Sequence, residues 1–351
     1  MNFEIFAGKS ALKRINTEGF HADLFGTILG ASGAAKWLSI SRLETVLFPW
    51  TLTRKTPLDA MGSSIGAWRM MCLAQRDPAT ALLRLENAYI HQSYPENWQP
   101  SDVDAEGQKI LKSALGENGV HEIFSQDLVN LHLLAVRCRG FLAAQRKSLL
   151  LIGLAQASLA NFISRSHLGW SFHRACFVKD LQRSAIKFRD LPSDYPKLTA
   201  QNLEAALIAS GSIPLVSSPV REISGVAPGI YRDGGLSDYH FDFQFQTDNR
   251  LILYPHFYSD MIPGWFDKAL PWRKVQGKAL DQVVLICPSR EFVESLPYKK
   301  IPDRNDFLNL DESTRLKYWR ETVSKGQKMA DNLHRLLEQN RLSEIIQPIT
   351  G

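Results

Sequence analysis

Cysteine is scarce in this chain and poorly spaced for chemistry. Cys72, Cys138, Cys176 and Cys287 lie far apart, which matches neither a zinc-ligand cluster nor the framework of a small secreted protein. No metal, cofactor or disulfide staple is therefore expected, and a chain of 351 residues can bury a sizeable core without one. An excess of charge of one sign is also lacking. Lys and Arg number 41 against 36 Asp and Glu, a net +5 spread without blocks. With no recognisable binding module, this argues against a nucleic-acid partner and leaves only a mild attraction to anionic membrane surfaces. Repeats, low-complexity stretches and Pro/Gly/Ser-rich linkers are missing, so the simplest organisation is one domain over 1–351. The opening NFEIFAGKSALKR has no signal-peptide core, and a cytosolic protein is expected.

Long hydrophobic runs are nearly absent. The exception is Ser148 to Ser164, SLLLIGLAQASLANFIS, 17 residues without a charge. That touches the lower limit of a membrane span, about 17–25 residues, but Gln156 and Asn161 interrupt it. A buried or half-buried helix is expected, within a helical insertion at about 142–168; the other reading is a lid or lipid-contacting helix.

The remaining pattern alternates strands and helices. Strands are expected at Phe25–Leu29, Leu58–Met61, Leu128–Arg137, Ala175–Val178 and Val283–Cys287, from short apolar runs ending in small residues or Pro. Helices are expected over AWRMMCLAQ, over Asn202–Ser210 with a stop at Gly211, and from Asp311 onward as a C-terminal extension reaching about 345. Such alternation argues for a layered α/β fold with a largely parallel sheet.

Against this background the pentapeptide GSSIG, residues 62–66, stands at a strand-to-helix junction. Gly-x-Ser-x-Gly in that context is the pattern of a nucleophile elbow, with Ser64 central and Gly62 and Gly66 where a Cβ would clash; taken alone it reads equally as a turn. A serine nucleophile needs oxyanion donors and a base. The small-residue loop GASGAAKW at 30–37 offers donors: the amides of Gly33 and Ala34, assisted by the positive field of Lys36. An ordinary tight loop or a weak phosphate nest gives the same composition. Asp233 precedes two glycines in YRDGGLSD and is the candidate base, although Asp-Gly by itself signals a turn.

The order of these pieces, GASGAAKW, GSSIG, ASGSIP at 209–214 and DGG at 233–235, resembles that of the patatin-like phospholipase family over about residues 20–245. The resemblance implies a three-layer α/β/α sandwich and a serine–aspartate dyad, with Ser64 as nucleophile, Asp233 as base and Gly234 and Gly235 allowing the sharp bend beside it. It implies an oxyanion loop at Ser32–Lys36 and cleavage of lipid acyl esters without a cofactor. Ser32, Ala34 and Trp37 stand where glycines are usual in the family.

Two other readings stay open. One is an α/β-hydrolase triad in the order Ser, Asp, His, with His240, His256 or His334 as third member. The other is a lipid-binding or scaffolding protein with a degraded oxyanion loop. Residues 254–272 gather Tyr254, Phe257, Tyr258, Trp265, Phe266 and Trp272, which read as core under a loop, an acyl pocket or a membrane contact.

Overall fold

A computed structural model describes residues 2–349 other than 244, 247, 248 and 276. Its strands are β1 (Phe3–Ala7), β2 (Phe25–Gly30), β3 (Leu58–Ser63), β4 (Val129–Cys138), β5 (Phe172–Val178), β6 (Lys187–Phe188), β7 (Ser193–Asp194), β8 (Ile230–Asp233), β9 (Phe245–Gln246), β10 (Leu251–Pro255), β11 (Val283–Pro288) and β12 (Ile346–Pro348). The main sheet runs β12-β1-β11-β10-β2-β3-β4-β5-β7, with β8 paired to β4 off that path. Its centre, β11-β10-β2-β3-β4, is parallel throughout; β1–β11, β4–β5 and β4–β8 are antiparallel. Every residue of β2, β3, β10 and β11 is buried, as expected for strands covered on both faces by helices. The protein is a three-layer α/β/α sandwich.

The helices that matter for the site are α1 (Lys9–Glu18), α2 (Ser41–Thr51), α3 (Ile65–Leu73), α4 (Pro78–Ile90), α5 (Pro100–Leu115), α6 (Gly119–Ser125), α7 (Lys147–Ile163) and α8 (Leu203–Ser210). A long C-terminal helix, Glu312–Glu338, buries a stripe that includes Tyr318, Trp319, Val323, Met329 and Leu333, and its N-terminus is capped by Asp311 accepting from the Thr314 amide. It belongs to the main core. Most buried apolar side chains form that one core, and a smaller cluster around Val136, Leu150, Leu168 and Phe172 lies under α7.

All five expected strands and the expected helices form, with ends shifted by at most three residues, except that the C-terminal helix stops at Glu338, short of the expected end near 345. The insertion proves to be the excursion between β4 and β5, which pair directly with each other. Seven strands had no clear sequence signal, and four of them, β6, β7, β9 and β12, are only two or three residues long. β1 is only five residues long, β10 lies at the start of the aromatic stretch, and β8 ends in the Asp-Gly-Gly that suggested a turn. Among the described residues no helix is long and apolar enough to cross a membrane.

Candidate active site

The geometry of the site follows from how two strands share one neighbour. β3 runs parallel to β4 and ends with Ser63 beside Leu134. β8 runs antiparallel to β4 and ends with Asp233 beside Ala135. Leu134 and Ala135 are consecutive, so β3 and β8 approach each other head-on along the same edge of β4. The residue leaving β3 is Ser64, and the residue ending β8 is Asp233. A separation of 169 positions along the chain is thus closed by strand register alone.

At that junction the Ser64 hydroxyl donates to Asp233 Oδ2 at 2.7 Å. The other carboxylate oxygen, Oδ1, accepts from the Gly235 amide at 2.6 Å, which fixes the carboxylate plane. Both residues are buried. Burial pushes the Asp233 carboxyl up to about 6, against the opposing pull of its hydrogen bonds from Ser64 and Gly235. A carboxylate poised there is a far better proton acceptor than one in water, while still mostly ionised at neutral pH.

Ser64 has φ 55° and ψ −131°, a backbone state that costs a non-glycine residue on the order of 1–3 kcal/mol and marks functional turns more often than structural ones. Its neighbours make the turn fit. A Cβ on Gly66 would stand 1.9 Å from the Gly30 carbonyl oxygen, so α3 can cross the end of β2 only as glycine. Gly62 faces Gly66 equally closely. Ser63 is fully buried, is not part of the cavity lining and has its hydroxyl 3.1 Å from that of Ser32, so it is a structural neighbour. On the aspartate side, a Cβ on Gly234 would come within 2.2 Å of the Leu134 carbonyl oxygen.

The ASGSIP stretch acquires a definite part. Ser210, the last residue of α8, accepts from the Ser64 amide at 2.9 Å and donates to the Leu134 carbonyl at 2.6 Å. It ties the turn at Ser64 to β4 at the point where the two strands meet, and it occupies the N–H of Ser64 itself. Ile213 and Pro214 then line the cavity. The sequence had marked this motif but offered no role for Ser210.

Ser64 and Asp233 open into a cavity of about 420 Å³ whose lining also includes Ser32, Gly33, Ala34 and Lys36. The loop is shaped with Cβ atoms in place. Ser32 donates to the Ser63 carbonyl, and its amide donates to the Tyr239 carbonyl. Ala34 sits at φ 49°, in the left-handed region that favours glycine. Trp37 is fully buried with its ring edge-on to Tyr89. Gly33 and Ala34 precede and begin a short helical turn, Ala34–Ser39, where amides have no carbonyl partner inside the turn. The Ile65 amide, first in α3, is in the same position and was not singled out from sequence.

The outer wall comes from chain beyond residue 245. Tyr258, Trp265, Lys268 and Arg304 line it together with Tyr239 and Asp303. The Lys36 ammonium lies 5.0 Å from the Tyr258 ring centre, and loss of water lowers its proton affinity. Lys268 is exposed as a residue, but its ammonium rests over the Tyr239 ring at 3.8 Å. Partial desolvation there, then repulsion from Lys36 and Arg304, pulls it down to about 7. Isolated basic residues so far along the chain carry no local sequence signal.

The aromatic stretch divides. Tyr254 and Phe257 are core, Phe266 packs on Phe172, Tyr258 and Trp265 face the cavity, and Trp272 is exposed. None of the histidines offered for a triad is hydrogen-bonded to Ser64 or Asp233, although His240 lines the same cavity. His240 takes the Ile262 amide on Nδ1, and His256 takes the Tyr258 amide on its own Nδ1. Burial holds both neutral, His256 at about 3 and His240 well below its usual value. His334 is on the exposed side of the C-terminal helix beside Glu338. Neither oxygen of Asp233 is bonded to any of them. Among the described residues no group of three His, Cys, Asp or Glu side chains could hold a metal ion.

Compared with known proteins, the chain matches no family model and no curated sequence.

Proposed function

We propose that the protein is a serine acyl hydrolase of the patatin-like type, cleaving acyl ester bonds of lipids through a Ser64–Asp233 dyad. The observation that carries this reading is the 2.7 Å hydrogen bond from the Ser64 hydroxyl to a buried carboxylate, made by a serine in a strained backbone state at the floor of a cavity. The order of the four sequence motifs supports it.

In this reading the ester carbonyl settles against Ser64 with its oxygen toward the amides of Gly33 and Ala34. Ser64 Oγ attacks the carbonyl carbon as Asp233 takes the hydroxyl proton, and the C–O bond to the alcohol breaks as Asp233 returns that proton to the leaving oxygen. Water then attacks the acyl-serine, Asp233 accepts its proton, and the fatty acid leaves with Ser64 restored. The Gly235 amide keeps the carboxylate aimed throughout, a task that a third residue performs in a triad. Lys36 and Arg304, joined by the protonated fraction of Lys268, add a positive field around developing negative charge.

The test is covalent labelling by a fluorophosphonate probe, which reacts with an activated serine. Labelling is expected in the wild-type protein and is expected to vanish in Ser64→Ala, with ester hydrolysis falling by roughly four orders of magnitude. A folded wild-type protein that takes no label would remove the hydrolase reading and favour a lipid-binding role.

A further inference from the structure

Helix α7 is turned the opposite way from an ordinary surface helix. Its charge-free length packs inward through Leu150, Gly153, Ala157 and Asn161. Its outer face presents Leu151, Ile152, Ala155, Leu159, Phe162 and Ile163 with the uncharged polar Gln156 and Ser158 among them, and the last turn is the most open, with Leu159, Phe162 and Ile163 58–72 % exposed. No charged side chain interrupts that face, whereas a solvated helix normally carries charges there. The seating is firm, since a Cβ on Gly153 would stand 2.7 Å from the Leu142 amide nitrogen. Exposed Trp170 closes the short turn Arg165–Trp170 that follows the helix, and exposed Trp272 meets the Phe162 ring edge-on at 6.1 Å.

Charge around this face is one-sided. From residue 128 to residue 179 the chain has no Asp or Glu, but it carries Arg137, Arg139, Arg146, Lys147, Arg165, Arg174 and Lys179. Arg174 and Arg165 are taken up by buried or half-buried carboxylates, whereas Arg146 and Lys147 stand exposed at the start of α7. The helix is also tied to the cavity wall from its inner side. Asn161 donates to Asp267 at 2.7 Å, and Arg273 donates to the Asn161 carbonyl at 2.8 Å. Asp267 lies in the short turn Trp265–Ala269, whose Trp265 and Lys268 line the cavity wall.

We infer that the exposed face of α7, with Trp170 and Trp272, is the surface by which the protein lies on an anionic phospholipid bilayer, with the cavity mouth beside the membrane. An apolar face of this kind inserts at the level of the headgroups and acyl chains, indole rings favour that depth, and exposed basic residues are drawn to anionic lipid. The inference rests on the lipid-ester reading for its purpose, and its physical content is measured without turnover. It also moves the membrane contact expected from sequence: Trp265 and Phe266 are spent on the cavity wall and the core, and Trp272 is the member of that stretch left for the surface.

The test uses the full chain with sedimenting vesicles of phosphatidylcholine, with and without phosphatidylglycerol. The triple substitution Leu159→Ser, Phe162→Ser, Ile163→Ser is expected to weaken vesicle binding at least about tenfold while leaving turnover of a soluble short-chain ester unchanged. Arg146→Glu with Lys147→Glu is expected to remove the preference for phosphatidylglycerol. A blue shift of tryptophan fluorescence on vesicles, reduced in Trp272→Ser, gives a second readout that does not depend on the triple variant folding. Undiminished binding by the folded triple variant would overturn the inference. So would a wild-type dimer that the same substitutions convert to monomer, because a second copy would then cover the face. A wild-type protein that binds vesicles but does not hydrolyse the soluble ester leaves this inference standing and removes the hydrolase reading instead.

Discussion

The strand-to-helix elbow at 62–66 and the loop at 30–37 are both tight turns of small residues leaving adjacent strands, yet they tolerate different side chains. At the elbow the constraint is space. The atoms that would meet a Cβ on Gly62 or Gly66 are backbone carbonyls and amides of the opposing segment, which cannot move without separating α3 from the sheet. At the loop the constraint is mainly dihedral. Ala34 holds φ 49° with its methyl group in place, and the atom nearest a Cβ on Gly33 is the edge of the Phe257 ring, a side chain. Where backbone meets backbone, glycine has no substitute. Where only a positive φ is required, alanine serves at a cost of about 1 kcal/mol. The departures of this loop from the glycine-rich pattern are therefore compatible with the shape of the turn.

The comparison is broken most severely at Gly66. Gly66→Ala is expected to destabilise the fold by roughly 3 kcal/mol or more, read as a lowered urea midpoint, and to abolish fluorophosphonate labelling in whatever protein stays folded. A near-normal midpoint would mean that α3 and β2 can part, and the spatial account of the elbow would fail.

Asp233→Asn gives an intermediate effect and separates chemistry from stability. Burial raises the Asp233 carboxyl to about 6 in the folded protein, against about 3.9 for an unperturbed aspartate. The folded state therefore holds this proton more tightly than the unfolded chain. Its favourable contribution is complete below about pH 4 and is lost as pH rises through about 6. Relative to wild type, the amide variant should gain stability on the order of 2 kcal/mol at pH 8, an advantage that shrinks on acidification toward pH 4. Wild-type hydrolysis should rise with pH through about 6 as the base ionises, and the variant should be inactive across the range. Parallel unfolding curves for the two proteins from pH 4 to 8, with no change in their separation, would contradict the raised carboxyl.

The smallest effect belongs to the loop. Ala34→Gly relieves the left-handed strain but gives the unfolded chain more freedom, so the two terms nearly cancel, and the midpoint should move by less than about 1 kcal/mol with labelling retained. A large loss of labelling would assign the Ala34 methyl group a part in shaping the site beyond its dihedral.

How much was legible beforehand depended on the range over which the signal acts. The elbow was readable because a strand end, two glycines and a helix start are encoded within about ten residues. The loop at 30–37 and the uncharged stretch 148–164 were readable for the same reason. The strand β8 was hidden, because its four residues end in Asp-Gly-Gly and its pairing partner lies almost a hundred positions away. The exposure of the α7 face was hidden too: an apolar face predicts burial, and only the packing of Leu150, Gly153 and Ala157 against the small second cluster decides which side turns inward.

By itself the sequence determined the local devices: where strands turn into helices, which serine sits between glycines, and which segment carries no charge. These depend on dihedral preference and periodicity, which neighbouring residues impose on one another. Only the tertiary structure decided that Asp233 meets Ser64 directly, that Ser210 holds the elbow, and that Lys268 and Arg304 close the cavity. Those meetings depend on the register of β3 and β8 along β4 and on how chain beyond residue 245 folds back over the site. Register is set by the packing of the whole core, and no short stretch of residues contains it.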